Sequence, residues 1–471
     1  MNQVSEIARR AAGAAPALAA MSVADRVALL DAIADALDGA ADELVAVAGE
    51  ETALPDARLR GELARTTAQL RKFGVVVAEG GYLEATIDHA DPGDVPPRPE
   101  LRRMLRPIGP VAVFAASNFP FAFSVAGGDT ASALAAGCPV VVKTHPGHPR
   151  TSARTAELVA GALTAAGAPA GAFQTVAGFD EGLALVDAEQ IEAVAFTGSL
   201  RGGRALLDRC TARAKPIPFY GELGSLNPVV VTPEADAARG AELAAGLAGS
   251  FQLGDGQFCT KPGLVLVPAG SALEAALPAS VGTGAPRMLT ETIATGFETG
   301  RDRAAAVPGV EVLAGGGSAT APTVLAADAA TLLAHRELLE EVFGPVTVLV
   351  RYADPAARDA VLEALEGSLT MTLHAEPGED VVGLAEAMAS RAGRVLFGGW
   401  PTGVAVSWAQ HHGGPWPATN TVFTSVGAMA VRRFLRPIAY QDAPASVLPP
   451  ALRDDNPLGI LRRIDGVLRL P

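Results

Sequence analysis

The stretch "VAVFAASNFPF" (residues 111–121) joins a short apolar run to a turn that contains asparagine and proline. Three more apolar runs follow along the chain: "PVVVK" (139–143), "FQTVAG" (173–178) and "AVAFTGS" (193–199). An alanine-rich segment of helical length follows each run. Buried parallel strands alternate with helices in this way, so the sequence predicts a doubly wound α/β sheet.

Composition limits the classes of partner. The chain has 471 residues, of which 49% are apolar, so it can bury a large core and form roughly two or three domains. Its formal net charge is −14 and its basic residues form no stripe, which argues against nucleic acid and anionic membranes. No run of about 18 apolar residues occurs, and we find no signal peptide. We therefore expect a cytoplasmic protein that acts on small molecules.

The loops that follow the strands should carry the chemistry, because parallel α/β sheets bind ligands at the carboxyl ends of their strands. The usual G-x-G-x-x-G fingerprint is absent after the first strand. "FTGSLRGG" (196–203) instead offers backbone N–H groups and a helix N-terminus to a phosphate, with glycines at 198 and 203. Glycines also simply form strand-to-helix turns, so this segment alone does not establish a nucleotide site.

The cysteines are few and scattered. Cys138, Cys210 and Cys259 lack the spacing of a disulfide framework or a metal site, so we expect three reduced thiols. Cys259 lies in "GQFCTKPG" (256–263), between glycines, although a free cysteine is usually a small buried hydrophobe.

Six motifs in order resemble the aldehyde dehydrogenase superfamily: "ASNFPF" (116–121), "KTHPGHP" (143–149), "FTGS" (196–199), "GELGSLNP" (221–228), "GQFC" (256–259) and "EEVFGP" (340–345). The details "ELGSLNP", "HHGGPWPAT" and "YQDAP" are similar to a branch that contains alpha-ketoglutaric semialdehyde dehydrogenases and NADP-linked fatty-aldehyde enzymes. Lys261 departs from the general pattern, in which a small residue is usual.

The resemblance implies a Rossmann-type doubly wound cofactor domain, an α/β catalytic domain and a small β oligomerisation element. The expected bounds are 1–94 with 113–221 for the cofactor domain, 222–431 for the catalytic domain, 95–112 with 432–446 for the oligomerisation element, and 447–471 for a C-terminal tail. Members of the superfamily assemble as homodimers or homotetramers, and we expect one of these states here.

The resemblance also implies a catalytic set. Cys259 would attack the aldehyde, since a thiolate is a strong nucleophile and later leaves as part of a thioester. Asn118 would donate to the oxyanion. Glu222 would activate the hydrolytic water, and apolar surroundings would raise its pKa. The competing interpretations are a structural thiol for Cys259, a turn residue for Asn118 and a solvated charge for Glu222.

Further residues are implied as cofactor ligands. Lys143 would contact the adenosine ribose and Glu341 the nicotinamide ribose, although Lys143 could also be a surface lysine. Pro146 replaces the glutamate that holds the adenosine ribose in NAD-specific members, so we expect NADP to be preferred and NAD to be possible. The other candidates are Ser117, Thr144, His145, His148, Gly198, Ser199, Gly203 and Phe343.

Substrate recognition is the least determined part of the sequence. His411 and His412 form either part of the substrate entrance or a structural turn, and no partner at ligand spacing suggests a metal. The other entrance candidates are Phe119, Trp408, Thr424 and Ser425. The leading substrate is alpha-ketoglutaric semialdehyde. The alternatives are an aliphatic aldehyde, a CoA-acylating reaction and a non-catalytic structural relative.

Overall fold

The computed structural model describes residues 3–284, 287–316, 320–401 and 403–471. Its helices are α1 (Gln3–Ala20), α2 (Val23–Gly39), α3 (Ala41–Thr52), α4 (Asp56–Glu79), α5 (Gly128–Ala136), α6 (Pro149–Ala165), α7 (Phe179–Asp187), α8 (Leu200–Ala212), α9 (Pro233–Phe251), α10 (Ala272–Ala276), α11 (Glu291–Ala305), α12 (Ala329–Ala334), α13 (Pro355–Ala364) and α14 (Val382–Ala389).

Seventeen strands are found among these residues. They are β1 (Thr86–Asp88), β2 (Leu101–Pro107), β3 (Val111–Phe114), β4 (Val140–Lys143), β5 (Phe173–Val176), β6 (Ala193–Thr197), β7 (Phe219–Glu222), β8 (Val229–Val231), β9 (Leu264–Pro268), β10 (Glu311–Ala314), β11 (Thr323–Asp328), β12 (Val346–Tyr352), β13 (Ser368–His374), β14 (Ala392–Phe397), β15 (Leu435–Gln441), β16 (Arg462–Ile464) and β17 (Val467–Arg469).

The first sheet has the order β5-β4-β3-β6-β7, and all its strands are parallel. Val111 and Val113 face one buried cluster, whereas Ala112 and Phe114 face the other, so helices cover both faces. This arrangement confirms the predicted doubly wound sheet and explains its continuous apolar runs. The four motif loops follow β3, β4, β6 and β7, and the carboxyl ends of these strands lie along one edge.

The second sheet has seven strands in the order β10-β11-β12-β9-β8-β13-β14. All its neighbours are parallel except the pair β10 and β11. Its two faces also bury separate clusters: Val230 and Leu264 belong to one, and Val229 and Val265 to the other. The cysteine motif lies directly before β9, and "EEVFGP" lies directly before β12, which is hydrogen-bonded to β9.

A third sheet, of order β15-β2-β1-β16-β17, differs from the expected division of the chain. β2 and β15 pair along their full length, as an element made of 95–112 and 432–446 requires. The sheet also takes β1 from the expected cofactor domain. Residues 447–471 are not a separate tail, since β16 pairs with β1 and β17 with β16. In addition, β3 begins at Val111, inside the expected oligomerisation element.

α1 packs against β4 and β5 of the first sheet, and Glu62 of α4 accepts from the backbone N–H groups of Phe121 and Ala122 in the loop after β3. Ser22 caps α2 by accepting from the backbone N–H of Asp25. Within the described part of the chain, no helix combines the length and apolar character needed to cross a bilayer.

Candidate active site

Cys259 lies in a turn between α9 and β9, and its side chain is half-buried. The glycine three residues before it explains this loop. Gly256 has a φ of 65°, and a Cβ there would lie 2.3 Å from the carbonyl of Gly344 in the "EEVFGP" loop. A side chain would therefore both strain the backbone and separate the two loops. The motif thus holds the cysteine loop against the loop that carries Glu341.

Glu222 ends β7 and is 2% exposed. Its Oε1 lies 2.8 Å from Nε2 of His412, and its Oε2 accepts from the Ser425 hydroxyl at 2.6 Å. The Sγ of Cys259 lies 3.5 Å from the same histidine nitrogen. The reactive atoms of Cys259, Glu222 and His412 all lie within 4.8 Å of one another.

The electrostatics of Glu222 differ from the sequence expectation. Burial favours the protonated carboxyl, but His412 and Ser425 both donate to it, and the pKa of Glu222 falls below its ordinary value. The prediction of a raised pKa was wrong, because the sequence around Glu222 gives no sign of the two donors, which lie 190 and 203 residues away.

The thiol shows the opposite shift. Burial and the neighbouring Glu222 carboxylate raise the pKa of Cys259 well above its ordinary value. The site therefore holds a neutral thiol beside a carboxylate that can accept its proton. Burial also raises the pKa of Cys138 and of Cys210 to about 11, and both side chains are fully covered, as expected of structural thiols.

Asn118 lies close to the cysteine turn. Its side-chain Nδ2 donates to the backbone carbonyl of Gln257 at 3.0 Å, and the backbone carbonyl of Asn118 accepts from Arg58 at 2.8 Å. An amide NH₂ has two donors, so one N–H remains for a ligand oxygen. The position fits the donor role that the motif predicts.

Lys261 fills a structural position that the sequence does not reveal. It is 2% exposed, and its Nζ donates to the carbonyls of Val342 at 3.0 Å and Val346 at 2.8 Å. Burial lowers the pKa of Lys261 and raises that of Glu341, while each charge stabilises the other. Lys261 therefore connects the cysteine loop to two points of the chain, one within the "EEVFGP" loop and one directly after it.

The predicted cofactor residues differ in their freedom to bind a ligand. Lys143 is half-buried and has no side-chain partner among the described residues, and Ser117 is half-buried nearby at the end of β3. Ser199 caps α8 by accepting from Gly202 N–H, with Gly198 directly before it. Phe343 is half-buried in the loop after Glu341.

Three of the predicted cofactor ligands, Thr144, His148 and Gly203, also contact the protein, and a fourth, His145, is neutral. His148 is fully buried, and its ring nitrogens contact Ser152 Oγ and the Ala116 carbonyl, each at 3.0 Å. Burial lowers the pKa of His145 to about 3, so its ring is neutral. Gly203 packs on Leu223, whose Cδ2 would lie 2.0 Å from a Cβ at that position. Thr144 donates to the Val176 carbonyl.

The predicted substrate residues divide into two groups. Thr424 accepts from His412 N–H at 2.8 Å, so Thr424 and Ser425 hold the catalytic cluster and do not line an entrance. His412 is itself fully buried beside Glu222. Trp408 is 42% exposed and lies under Lys72, whereas Phe119 packs against Phe258, next to Cys259.

Two features of the cluster were missed in the sequence. A metal ion could be held by Cys259, His412 and Glu222 together. The spacing of ligands along the sequence therefore does not exclude a metal in this folded cluster.

The site also has two arginines nearby, Arg58 and Arg65 of α4. Their spacing of seven residues on one helix is the signal that could have identified them.

Comparison with known proteins agrees with this geometry. Residues 1–281 match the aldehyde dehydrogenase family, and the chain belongs to that family. It is therefore an NAD(P)-linked oxidoreductase that acts on aldehydes.

Two relatives are similar along nearly the whole chain. Alpha-ketoglutaric semialdehyde dehydrogenase 2 of Azospirillum brasilense is 46% identical over 95% of this chain and 88% of its own length. Alpha-ketoglutaric semialdehyde dehydrogenase of Acinetobacter baylyi is 43% identical over 94% and 87%. The crystal structure of aldehyde dehydrogenase 21 from Physcomitrella patens, with the reaction product succinate, has a TM-score of 0.79, covers 94% of this chain and 91% of its own, and is 23% identical. That structure confirms the fold.

The Glu222→Gln variant should lower the pKa of the Cys259 thiol, because it removes the negative charge that opposes the thiolate. Alkylation of Cys259 by iodoacetamide, followed by mass spectrometry across a pH series, measures this pKa. We expect the midpoint to move to lower pH than in the wild type, with Cys259→Ala as the labelling control. An unchanged or higher midpoint would contradict the electrostatic account.

The Lys261→Met variant should raise KM for the cofactor by about tenfold with a smaller change in kcat. The reason is that the loop that carries Glu341 would no longer be hydrogen-bonded to the cysteine loop through Lys261. Steady-state kinetics with varied cofactor measures the split. Lys215→Met is the matched control, since Lys215 is exposed and pairs with Glu192. Equal cofactor KM values in the Lys261 variant and the wild type would refute the positioning role.

Proposed function

We propose that this protein oxidises alpha-ketoglutaric semialdehyde to 2-oxoglutarate with NADP as the preferred cofactor. One observation carries the chemistry: a half-buried thiol, a buried carboxylate and a buried imidazole lie within 4.8 Å of one another at the meeting of the two large sheets. The substrate rests on the names of the two relatives that are 46% and 43% identical to this chain.

The first step forms a bond between Cys259 Sγ and the aldehyde carbon. The thiol proton passes to the Glu222 carboxylate, which already faces the sulfur. His412 and Ser425 keep that carboxylate oriented. The aldehyde oxygen gains the negative charge and accepts from the free N–H of Asn118, a contact of the kind that contributes about 3 kcal/mol to a transition state.

A nicotinamide cofactor would supply the acceptor for the hydride that leaves this carbon. The residues present fit a dinucleotide: Lys143 has no side-chain partner among the described residues, α8 follows the carboxyl end of β6, and Glu341 accepts from the backbone N–H of Ser225 in the loop after Glu222. Lys143 and Thr144 would hold the adenosine side, Ser199 the pyrophosphate, and Glu341 the nicotinamide ribose.

The last step releases the acid. Glu222 first releases the thiol proton to solvent. Water then attacks the thioester on Cys259, Glu222 takes a proton from that water, and Cys259 leaves as the thiolate and is reprotonated. The lowered pKa of Glu222 keeps it ionised at neutral pH and therefore able to accept this proton. The presence of Glu222 favours hydrolysis over a CoA-acylating reaction, and the assembled cluster argues against a non-catalytic relative.

The preference for NADP rests on Lys143. With His145 neutral, His148 committed to protein contacts and Arg150 paired with Glu50, Lys143 is the cation of this loop that remains for a 2′-phosphate. Pro146 leaves no carboxylate there to repel the phosphate. A charge-assisted bond of about 1.5 to 3 kcal/mol corresponds to a preference of roughly tenfold to hundredfold.

A medium-chain or long-chain aliphatic aldehyde is the second candidate. Phe119, Phe123 and Phe258 are half-buried, and the ring of Phe119 lies 5.2 Å from each of the other two rings. Such an aromatic wall beside Cys259 would also accept an alkyl chain.

We further propose a homodimer or homotetramer in the cytoplasm. β15 lies at the edge of its sheet with alternating exposed residues, and unpaired edges favour association with a second copy. A nucleophilic thiol is preserved in the reducing cytoplasm.

Steady-state kinetics with a panel of aldehydes tests the function. We expect kcat/KM for alpha-ketoglutaric semialdehyde to exceed that for hexanal and decanal by at least about tenfold, and NADP to exceed NAD by about tenfold or more. Absorbance of the reduced nicotinamide follows turnover, with Cys259→Ala as the inactive control. A higher value for decanal would favour the second candidate, and equal values for both cofactors would refute the role of Lys143.

A further inference from the structure

Two arginines of α4 lie on the same side of the catalytic turn. Arg58 and Arg65 are seven residues apart, which is close to two helical turns, so they project in similar directions. The guanidinium carbon of Arg58 lies 4.5 Å from the ring centroid of Phe258, and that of Arg65 lies 5.4 Å from the ring centroid of Phe123. Both cations therefore border the aromatic wall beside Cys259.

The two arginines differ in their hydrogen-bond partners and ring contacts. Arg58 donates from Nη2 to the carbonyl of Asn118 and stacks on two rings, so its contacts support the oxyanion residue. Arg65 donates from both Nε and Nη2 to one oxygen, the carbonyl of Val404, at 3.2 and 3.1 Å. These two bonds fix the plane of its guanidinium. Nη1 of each arginine is buried and has no hydrogen-bond partner among the described residues, so the two differ only in their other contacts.

The charge of this region is only partly compensated. Glu62 lies between the two arginines on α4, but its Oε1 accepts from the backbone N–H groups of Phe121 and Ala122. Burial raises the pKa of Glu62, which weakens it as a counter-charge. Burial lowers the pKa of Arg65, and the charges of Glu62, Glu222 and the thiolate form of Cys259 oppose that shift, so its guanidinium lies within electrostatic range of the reacting atoms.

We infer that Arg65 binds the carboxylate of the aldehyde substrate, with Nη1 as the donor that the fold leaves for it. This inference rests on the proposed function. A five-carbon dicarbonyl acid separates its aldehyde carbon from its carboxylate by about 5 Å when extended, so one molecule can contact both Cys259 and a cation at the border of the site. Phe119 and Phe123 would cover the methylene groups between the two ends. A planar, charged fork is the side chain best suited to a carboxylate.

Kinetics of an Arg65→Met variant test this assignment with two aldehydes of equal length, alpha-ketoglutaric semialdehyde and pentanal, which lacks the carboxylate. We expect the ratio of their kcat/KM values to fall by about thirtyfold or more, mainly through KM for the semialdehyde. Arg65→Lys keeps the charge without the fork, so its ratio should lie between those of the methionine variant and the wild type. Arg65→Lys also tests the assignment if Arg65→Met does not fold.

Two further variants separate binding from structure. Arg71→Met on the same helix should leave the ratio unchanged, because Arg71 is exposed and pairs with Asp35 and Asp38. Arg58→Met should slow both aldehydes together, since Arg58 supports Asn118. If Arg65→Met also slows both together, Arg65 is only structural and the inference is overturned.

The wild-type enzyme distinguishes the two hypotheses. If it shows no preference for the semialdehyde over pentanal, the proposed substrate fails before any variant is made. If the preference is present and survives in Arg65→Met and Arg65→Lys, the proposed function stands and the carboxylate is bound elsewhere.

Discussion

The buried carboxylate of Glu222 is the constraint on which the site depends. A carboxylate that is 2% exposed stays ionised only where donors replace water, and His412 and Ser425 supply those donors. The same charge raises the pKa of Cys259, so the thiol keeps its proton until it reacts. Arg433, which is itself buried, contacts the Ser425 carbonyl and pairs with Asp129 of α5. The Glu222 carboxylate is thus connected through Ser425 and Arg433 to α5.

Hydrogen bonds from Asn227 and Lys261 hold the cysteine turn in place. Asn227 donates to the carbonyls of Cys259 and Lys261, and its Oδ1 accepts from Ser225 and Thr370. Asn227 has a φ of 51°, a conformation that asparagine tolerates better than most residues. Lys261 then links the turn to the loop of Glu341. The two loops belong to adjacent strands, β9 and β12, so nucleophile and proposed ribose ligand are fixed by one sheet.

Much of this arrangement follows from the sequence, because strand runs that end in motif loops must meet at one sheet edge. This reasoning predicts that Asn118 and Glu222 lie near each other, whereas the approach of Cys259, which precedes β9 of the second sheet, follows from the family resemblance alone. The place of His412 could not, since its contacts with Glu222 and Thr424 depend on the folded chain. The ring contacts of His148 could not be predicted for a similar reason: one partner is the distant Ala116 carbonyl. The three-residue strands β16 and β17 are too short to show a period.

A single-turnover experiment with Glu222→Gln separates hydride transfer from hydrolysis, because hydride transfer comes first. We expect one equivalent of reduced cofactor to form per active site and turnover then to stall. Mass spectrometry should find the acyl group on Cys259. Steady turnover at the wild-type rate without an adduct on Cys259 would contradict the role of Glu222 as the base for hydrolysis.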